Sequence, residues 1–427
     1  MHSADLSPFD IAAILVLLAA VLGYFNHRVL GLPSSVGMTL MGAVAALVII
    51  ALGALFPGWG ITTTVEAFLV NIDFHKALME GMLSFLLFAG ALHVDWQEMR
   101  VNRVPILILA TVGVLISTAI VGAGIWWFAA LAGIPLPFSW ALVFGALISP
   151  TDPVAVMAIL KRAAVPPSLQ ATVAGESLFN DGVGVVVFSI LLTVASGQAE
   201  FSWYHALQDF SREALGGAAF GVMTGWIAFR AMRSIDEYSV EVIISLAVVM
   251  AGYSFAQMLH VSGPVAMAVA GLLIGNAGVA HAMSDTTRDY LLKFWALIDE
   301  ILNAVLFLLI GLEVVLVSRQ PSLLVLGLAA IPLALAARWI AVSAPLALLR
   351  RWIDLGPLSI PTLVWGGLRG GISIALALSL PEGEFRSPIV AATFVVVLFA
   401  VIIQGGSIGG LINRLTWRHG NAAGSRR

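Results

Sequence analysis

The run Gly175-Glu176-Ser177-Leu178-Phe179-Asn180-Asp181-Gly182 sets two carboxylates, an amide and a hydroxyl inside a stretch otherwise built of Val, Ile, Leu, Phe and Ala. A charged side chain at membrane depth costs at least ~2.5–3.5 kcal/mol, and such groups mark ion and proton paths. On a helix of ~3.6 residues per turn the polar side chains follow one another in the order Glu176, Asn180, Ser177, Asp181 across roughly 140° of one face. Asn180 therefore stands beside Glu176 and can hold it by a hydrogen bond. Asp181 stands beside Ser177 at the far edge, free to project into a cavity. Carboxylate, hydroxyl and carbonyl oxygens suit a hard cation and not a soft metal. Burial opposes ionisation of a carboxylate and a bound cation favours it. A single group that takes either a proton or a cation, but not both, is an exchange device. Asp181 is the candidate for that group, with Asp152 assisting.

Two further runs must position it. Ser149-Pro150-Thr151-Asp152-Pro153 interrupts an apolar stretch with two prolines. Each removes a backbone N–H and clashes with the carbonyl four residues back, so the carbonyls of Ala146 and Ser149 are expected to lack helical partners. Freed carbonyls at membrane depth must face protein or a watery cavity, and they are good ligands for a hard cation. Gly366-Gly367-Leu368-Arg369-Gly370-Gly371 interrupts a second stretch, with four glycines weakening the helix around a charge. The core acids are then Asp152, Glu176 and Asp181, and the core cation is Arg369. A buried arginine needs a carboxylate, so one of the three acids is expected to be taken by it.

The elements that carry these runs are membrane spans. The 427-residue chain is 60% hydrophobic and 11% charged, against roughly 25% charged in soluble domains. It reads as an all-α polytopic membrane protein with thirteen spans, at roughly 9–26, 34–55, 75–93, 104–132, 138–160, 168–196, 209–231, 239–259, 262–280, 290–313, 321–349, 356–381 and 387–412. The breaks fall in spans 5 and 12. If spans 1–6 and 8–13 are two halves, both breaks lie in the fifth helix of their half, and the odd offset of seven inverts one half against the other. Discontinuous helices at matching places of an inverted repeat point to the binding site of a secondary transporter. Of the 21 Lys and Arg, Arg338 and Arg369 lie within spans and Lys76, Arg212, Arg319 and Arg386 lie on one side. The remaining fifteen, among them Arg28, Arg100, Lys161, Arg162, Arg350 and Arg351, lie on the other. This bias puts the N-terminus outside and the C-terminus in the cytoplasm. The N-terminal ten residues lack a basic region, so no cleaved signal peptide is expected. The formal charge of -3 argues against a nucleic-acid partner, and the absence of cysteine excludes disulfides and thiolate metal sites.

The three motifs, in this order and within a thirteen-span plan covering nearly the whole chain, resemble the electroneutral sodium/proton antiporters, the NhaP-like and sodium/proton exchanger branch of the monovalent cation:proton antiporters. The resemblance implies a homodimer in the plasma (bacterial inner) membrane. Residues 1–100 (spans 1–3) and 201–318 (linker span 7 and spans 8–10) would form the dimerisation domain. Residues 101–200 (spans 4–6) and 319–418 (spans 11–13) would form a mobile core with two crossing broken helices, and 419–427 a short cytoplasmic tail. It implies that Asp181 binds the ion and the proton, that Asp152 supports the ion site, and that Thr151 offers its backbone carbonyl. Ser177 and Glu176 would also line the site, with Asn180 and Arg369 holding Glu176. Electrogenic relatives carry a second aspartate in place of Asn180, so the Asn180-Asp181 pair implies one-for-one exchange. The expected protein is a transporter and not an enzyme. It needs no cofactor and exchanges sodium or lithium for a proton. The alternative is a potassium/proton antiporter of the same fold.

Other polar residues carry less. Asp299, Glu300 and Asn303 in span 10 have two readings, a contribution to the ion path or hydrogen bonding between helices, worth ~0.6 kcal/mol on average; the second is favoured. Arg338 can pair with one of these acids, but the sequence alone leaves its partner open. His27, His75, His93, His205, His260 and His281 read as interfacial residues. A channel would present rings of carbonyls or charges. An intramembrane hydrolase, the rival offered by two aspartates in neighbouring spans, would need a nucleophile elbow, which is not expected, or a His-Glu-x-x-His motif, which the chain lacks.

Overall fold

The computed structural model describes residues 8–60, 77–152, 165–198, 202–278, 283–312, 324–349 and 358–424, with residues 65, 68, 156–157, 160–161 and 355–356 between them. Pro153, Lys76, His75, Arg162, His281, Arg319, Arg350, Arg351, Arg426 and Arg427 lie outside the described residues. All regular structure among the described residues is helical. The helices that matter are α1 (Pro8–Phe25), α2 (Ser34–Leu55), α3 (Leu83–Leu92), α4 (Val114–Leu131), α5 (Phe138–Ile148), α6 (Pro167–Ala195), α7 (Gly216–Met232) and α8 (Tyr238–Met258). They continue with α9 (Gly263–Leu273), α10 (Asp285–Leu312), α11 (Leu324–Leu349), α12 (Ser359–Trp365), α13 (Gly371–Leu378), α14 (Arg386–Phe399) and α15 (Gly405–Gly424). Eight helical stretches among the described residues are long and apolar enough to cross a bilayer. Helix α5 and the pair α12 and α13 are too short to cross alone, because the predicted breaks interrupt them.

Contacts between helices follow the repeat. Shifting each span by seven, with α12 and α13 counted as the two halves of one broken span, maps α4 against α5 onto α11 against α12, and α5 against α6 onto α13 against α14; all four contacts occur. The same shift maps α2 against α10 onto α9 against α3, and both occur. Apolar side chains of α4, α5, α6, α11, α13 and α14 share one core, including Phe144, Leu147, Phe188 and Leu376. A second core joins α3 with α7, α8, α9 and α10 around Phe88, Met267 and Trp295. Trp295 donates its Nε1–H to Ser245 Oγ at 2.9 Å, which satisfies the buried indole.

Helices α2 and α10 approach closely. The Thr39 hydroxyl donates to the Phe307 carbonyl at 3.1 Å, and a Cβ placed on Gly311 would lie 2.5 Å from the Thr39 carbonyl oxygen. Small residues allow such backbone approach in membranes, where packing replaces the hydrophobic drive. Gly311→Ala is expected to cost about 1–3 kcal/mol through overpacking and to lower the unfolding temperature of the detergent-purified protein. Gly23→Ala in α1, where nothing lies within 4 Å, should cause no such loss.

Candidate functional site

The two breaks meet. Asp152 N–H donates to the Leu368 carbonyl at 2.8 Å, so one unwound segment crosses the other through an antiparallel bridge. The carbonyls freed by the prolines are occupied: Arg369 Nη1 donates to the Ser149 carbonyl at 2.9 Å and to the Pro150 carbonyl at 3.1 Å. The Ala146 carbonyl accepts from Ser149 N–H at 3.2 Å. On the other break Arg338 donates to the Leu363 carbonyl from Nε at 3.1 Å and Nη2 at 2.9 Å. Gln404 donates to the Trp365 carbonyl at 3.2 Å. The glycines serve close approach as well as flexibility. A Cβ on Gly367 would fall 2.9 Å from Arg338 Cζ, and one on Gly370 would fall 2.5 Å from Asp152 Oδ2.

One expectation about charge is corrected here, and the open partner of Arg338 is found. Glu176 is paired with Arg338: Nη1 meets Oε1, and Nη2 meets Oε2 at 2.8 Å. The pair is bidentate, and both side chains are buried, Glu176 at 1% and Arg338 at 7% exposure. Arg338 therefore does not pair with Asp299 or Glu300, and the hydrogen bonds of Arg369 go to backbone carbonyls and not to Glu176. The physical reason is that the negative end of α5 supplies Arg369 with carbonyl acceptors, so its partner need not be a carboxylate. With both oxygens held by Arg338, Glu176 is not among the residues that line the cavity described next.

Asn180 does reach Glu176, at 3.4 Å, but its shorter bond joins the break. Its Nδ2 donates to Thr151 Oγ1 at 2.8 Å, and its Oδ1 accepts from Thr151 N–H at 3.3 Å. Thr151 Oγ1 also meets Ser177 Oγ at 3.1 Å. One amide thus fixes α6 against the first break.

A cavity of about 590 Å³ brings together Asp152, Thr151, Ser177 and Asp181 at its inner end. The angular division of α6 is reproduced, with Asp181 and Ser177 in the cavity and Glu176 and Asn180 behind it. The cavity extends past Asp299, Glu300 and Asn303 to Ser34, His93 and Lys161, where α2 begins and α3 ends. Asp299 accepts from Asn303 Nδ2 at 3.0 Å within α10. That bond lies within one helix, so the expected bonding between helices is replaced by a place on the cavity wall. Sequence reasoning also passed over Ser373, which lines the same cavity; its position just after the glycine break is the one signal that pointed to it. Gly405-Gly406-Ser407-Ile408-Gly409 carries the letters of a hydrolase nucleophile elbow. It runs through the continuous helix α15, with Ser407 Oγ donating to the Ile403 carbonyl at 2.5 Å. An elbow requires a strand-to-helix turn, so this run is helix packing.

Comparison with known proteins adds the following. The family model described as "Sodium/hydrogen exchanger, transmembrane" matches residues 15–414. The Na(+)/H(+) antiporter NhaP of Pseudomonas aeruginosa is 45% identical over 412 residues, covering 95% of this chain and 96% of that protein. The Na(+)/H(+) antiporter NhaH of Halobacillus dabanensis is 31% identical, covering 90% of this chain and 92% of its own length. The solved structure of the sodium proton antiporter MjNhaP1 from Methanocaldococcus jannaschii superposes with a TM-score of 0.71 at 18% identity, covering 94% of this chain and 96% of that one. That last likeness concerns the fold.

The buried pair can be tested by itself. Removing one partner strands the other charge, at about 3–5 kcal/mol. Glu176→Gln and Arg338→Gln are each expected to destabilise the purified protein strongly in thermal unfolding. The double variant should be more stable than either single one. Arg338→Lys offers a point charge without the planar fork and should not restore wild-type stability.

Proposed function

The chain belongs to the sodium/hydrogen exchanger family, and from that premise we propose that it exchanges sodium for a proton, one for one, with Asp181 as the group that takes either. The observation that carries this reading is the charge balance at the crossing. Arg338 neutralises Glu176 by a bidentate pair. The charges of Arg369, Asp152 and Asp181 then sum to minus one. One monovalent cation or one proton brings the sum to zero, and a second is not required. Burial of the site makes the uncompensated charge costly to carry across the apolar barrier. The core therefore crosses loaded with either ion and crosses poorly when empty, which couples the two fluxes. Sodium is the ion in the names of the relatives, which favours sodium over the potassium alternative.

The wider reading follows the same premise. The relatives are transporters, and this chain is a membrane transporter that works without a chemical step. Thirteen crossings place the N-terminus outside and the C-terminus in the cytoplasm, supported by the sorting of Lys and Arg between the two sides. On that orientation the cavity mouth at Ser34, His93 and Lys161 faces the cytoplasm. Helices α4–α6 and α11–α14 act as the moving core of a homodimer, and α1–α3 with α8–α10 as the dimerisation domain. Asp152, Thr151 and Ser177 contribute oxygen ligands beside Asp181. Asn180 and the two arginines hold the breaks in place around them.

The deciding measurement is proton movement driven by a sodium gradient in proteoliposomes. Wild type should move protons against sodium, and Asp181→Asn should not. Clamping the membrane potential should leave the exchange unchanged, because no net charge moves. Protons and sodium compete for one carboxylate. The sodium concentration at half-maximal rate should therefore rise as pH falls, and added sodium should recover the rate. Exchange by Asp181→Asn at the wild-type level would sink the assignment.

A further inference from the structure

Ser373 stands in the first turn of α13, one helical turn beyond Gly370. Its side chain is only 1% exposed, and its Oγ has no hydrogen-bond partner among the described residues. Buried hydroxyls are normally paired, and leaving one unpaired is unfavourable, so each exception calls for an explanation. The residue lines the same cavity as Asp152 and Asp181. The other hydroxyls at the crossing are already engaged. Thr151 Oγ1 meets Ser177 Oγ at 3.1 Å and accepts from Asn180 at 2.8 Å. Ser149 Oγ donates to the Gly145 carbonyl at 2.7 Å and meets Thr118 Oγ1 at 3.1 Å.

The start of α13 adds a second term. Its first backbone N–H groups have no acceptors within the helix and form its positive end. The Asp152 carboxylate packs against Gly370, close enough that a Cβ there would lie 2.5 Å from Oδ2. The second broken helix therefore sets its N-terminal turn against one carboxylate of the site and places Ser373, with its buried and uncommitted hydroxyl, among the residues that line the cavity. A hard cation that sheds water needs oxygen ligands to replace it. Asp152, Thr151, Ser177 and Asp181 come from one break and from α6, all on one half of the repeat.

The geometry points to Ser373 as a further ligand for the transported cation, supplied by the opposite half of the repeat and tuning the choice among small monovalent cations. The inference rests on the antiport reading. It makes Ser373 a specificity residue, distinct from the proton-carrying group. With a ligand from each half, a loaded cation ties the two breaks together from both sides, and a proton on Asp181 does not.

The test is Ser373→Ala, with Ser373→Thr as the conservative control. A purely structural role and a ligand role predict opposite things. Removing an unpaired buried hydroxyl should leave thermal stability without sodium unchanged or raise it. As a ligand, its loss should raise the sodium concentration at half-maximal exchange about tenfold, keep the maximal rate near wild type, and change the ratio of sodium to lithium affinity. The stabilisation that saturating sodium gives in thermal unfolding should shrink in parallel. Ser373→Thr should restore both. Wild-type sodium affinity and wild-type sodium-dependent stabilisation in Ser373→Ala would overturn the inference and leave the hydroxyl to an ordered water. A drop in stability without sodium would overturn it in favour of packing. Absence of both sodium-driven proton movement and sodium-dependent stabilisation in the wild type would instead overturn the antiport reading on which it rests.

Discussion

A break in a membrane helix leaves backbone groups that lipid cannot satisfy, and this constraint organises the centre of the molecule. The Ser149 and Pro150 carbonyls are taken by Arg369. The Leu363 carbonyl is taken by Arg338, the Leu368 carbonyl by Asp152 N–H, and the Trp365 carbonyl by Gln404. Thr151 N–H is taken by Asn180. Each break is thus stabilised by groups drawn from another element, and neither unwound segment would be stable without the other. The crossing is a mutual repair, and the glycines at 367 and 370 make it possible by admitting a guanidinium and a carboxylate against the backbone.

The same repair sets the charge of the site. An arginine that caps carbonyls keeps its full positive charge, because carbonyl dipoles carry none to cancel it. Arg369 therefore remains as a counter-charge to Asp152 and Asp181, while Arg338 is matched one-to-one by Glu176. A buried ion pair of this kind contributes little net stability compared with apolar packing, and its removal from one side is what costs. Its use here is positional. It fixes the Glu176 edge of α6, and that leaves the opposite edge, with Ser177 and Asp181, facing the cavity.

Much of this was legible in the sequence. Period and hydropathy located the spans, prolines and glycines located both breaks, and helical spacing split the α6 motif into a held edge and an open edge. The partners of the two arginines were not legible. Charge counting gave Arg369 a carboxylate, because backbone carbonyls leave no trace in a list of charged residues. Arg338 sits in a featureless apolar helix, and only tertiary packing brings α11 against α12 and Glu176. Asp299 and Glu300 were read as helix-to-helix glue because polar residues in span 10 have no visible destination. The cavity that gives them one is formed by α2, α3, α6, α10 and α13 together. Ser373 carried one signal, its place just after the glycine break, but an unpaired hydroxyl is defined by what is missing around it and is not legible in a sequence.

The distribution of bond types suggests how access can change. Polar bonds tie α5, α6, α11, α12 and α13 to one another through Asn180, Arg338, Arg369 and the Asp152–Leu368 bridge. A second set ties α2 to α10 and α8 to α10, through Thr39 and Trp295. Among the described residues the close contacts between the two sets include an apolar one, Leu306 of α10 against Gly371. Hydrogen bonds are directional, and breaking one at membrane depth leaves two unsatisfied groups. Apolar contacts between helices in lipid are non-directional, and sliding them exposes surface as apolar as the lipid itself. Sliding is therefore cheapest along apolar contacts. The cavity lies between the two sets, with Asp181 on one wall and Asp299 on the other. A displacement along apolar contacts that narrows the cavity need not break the polar bonds of the crossing.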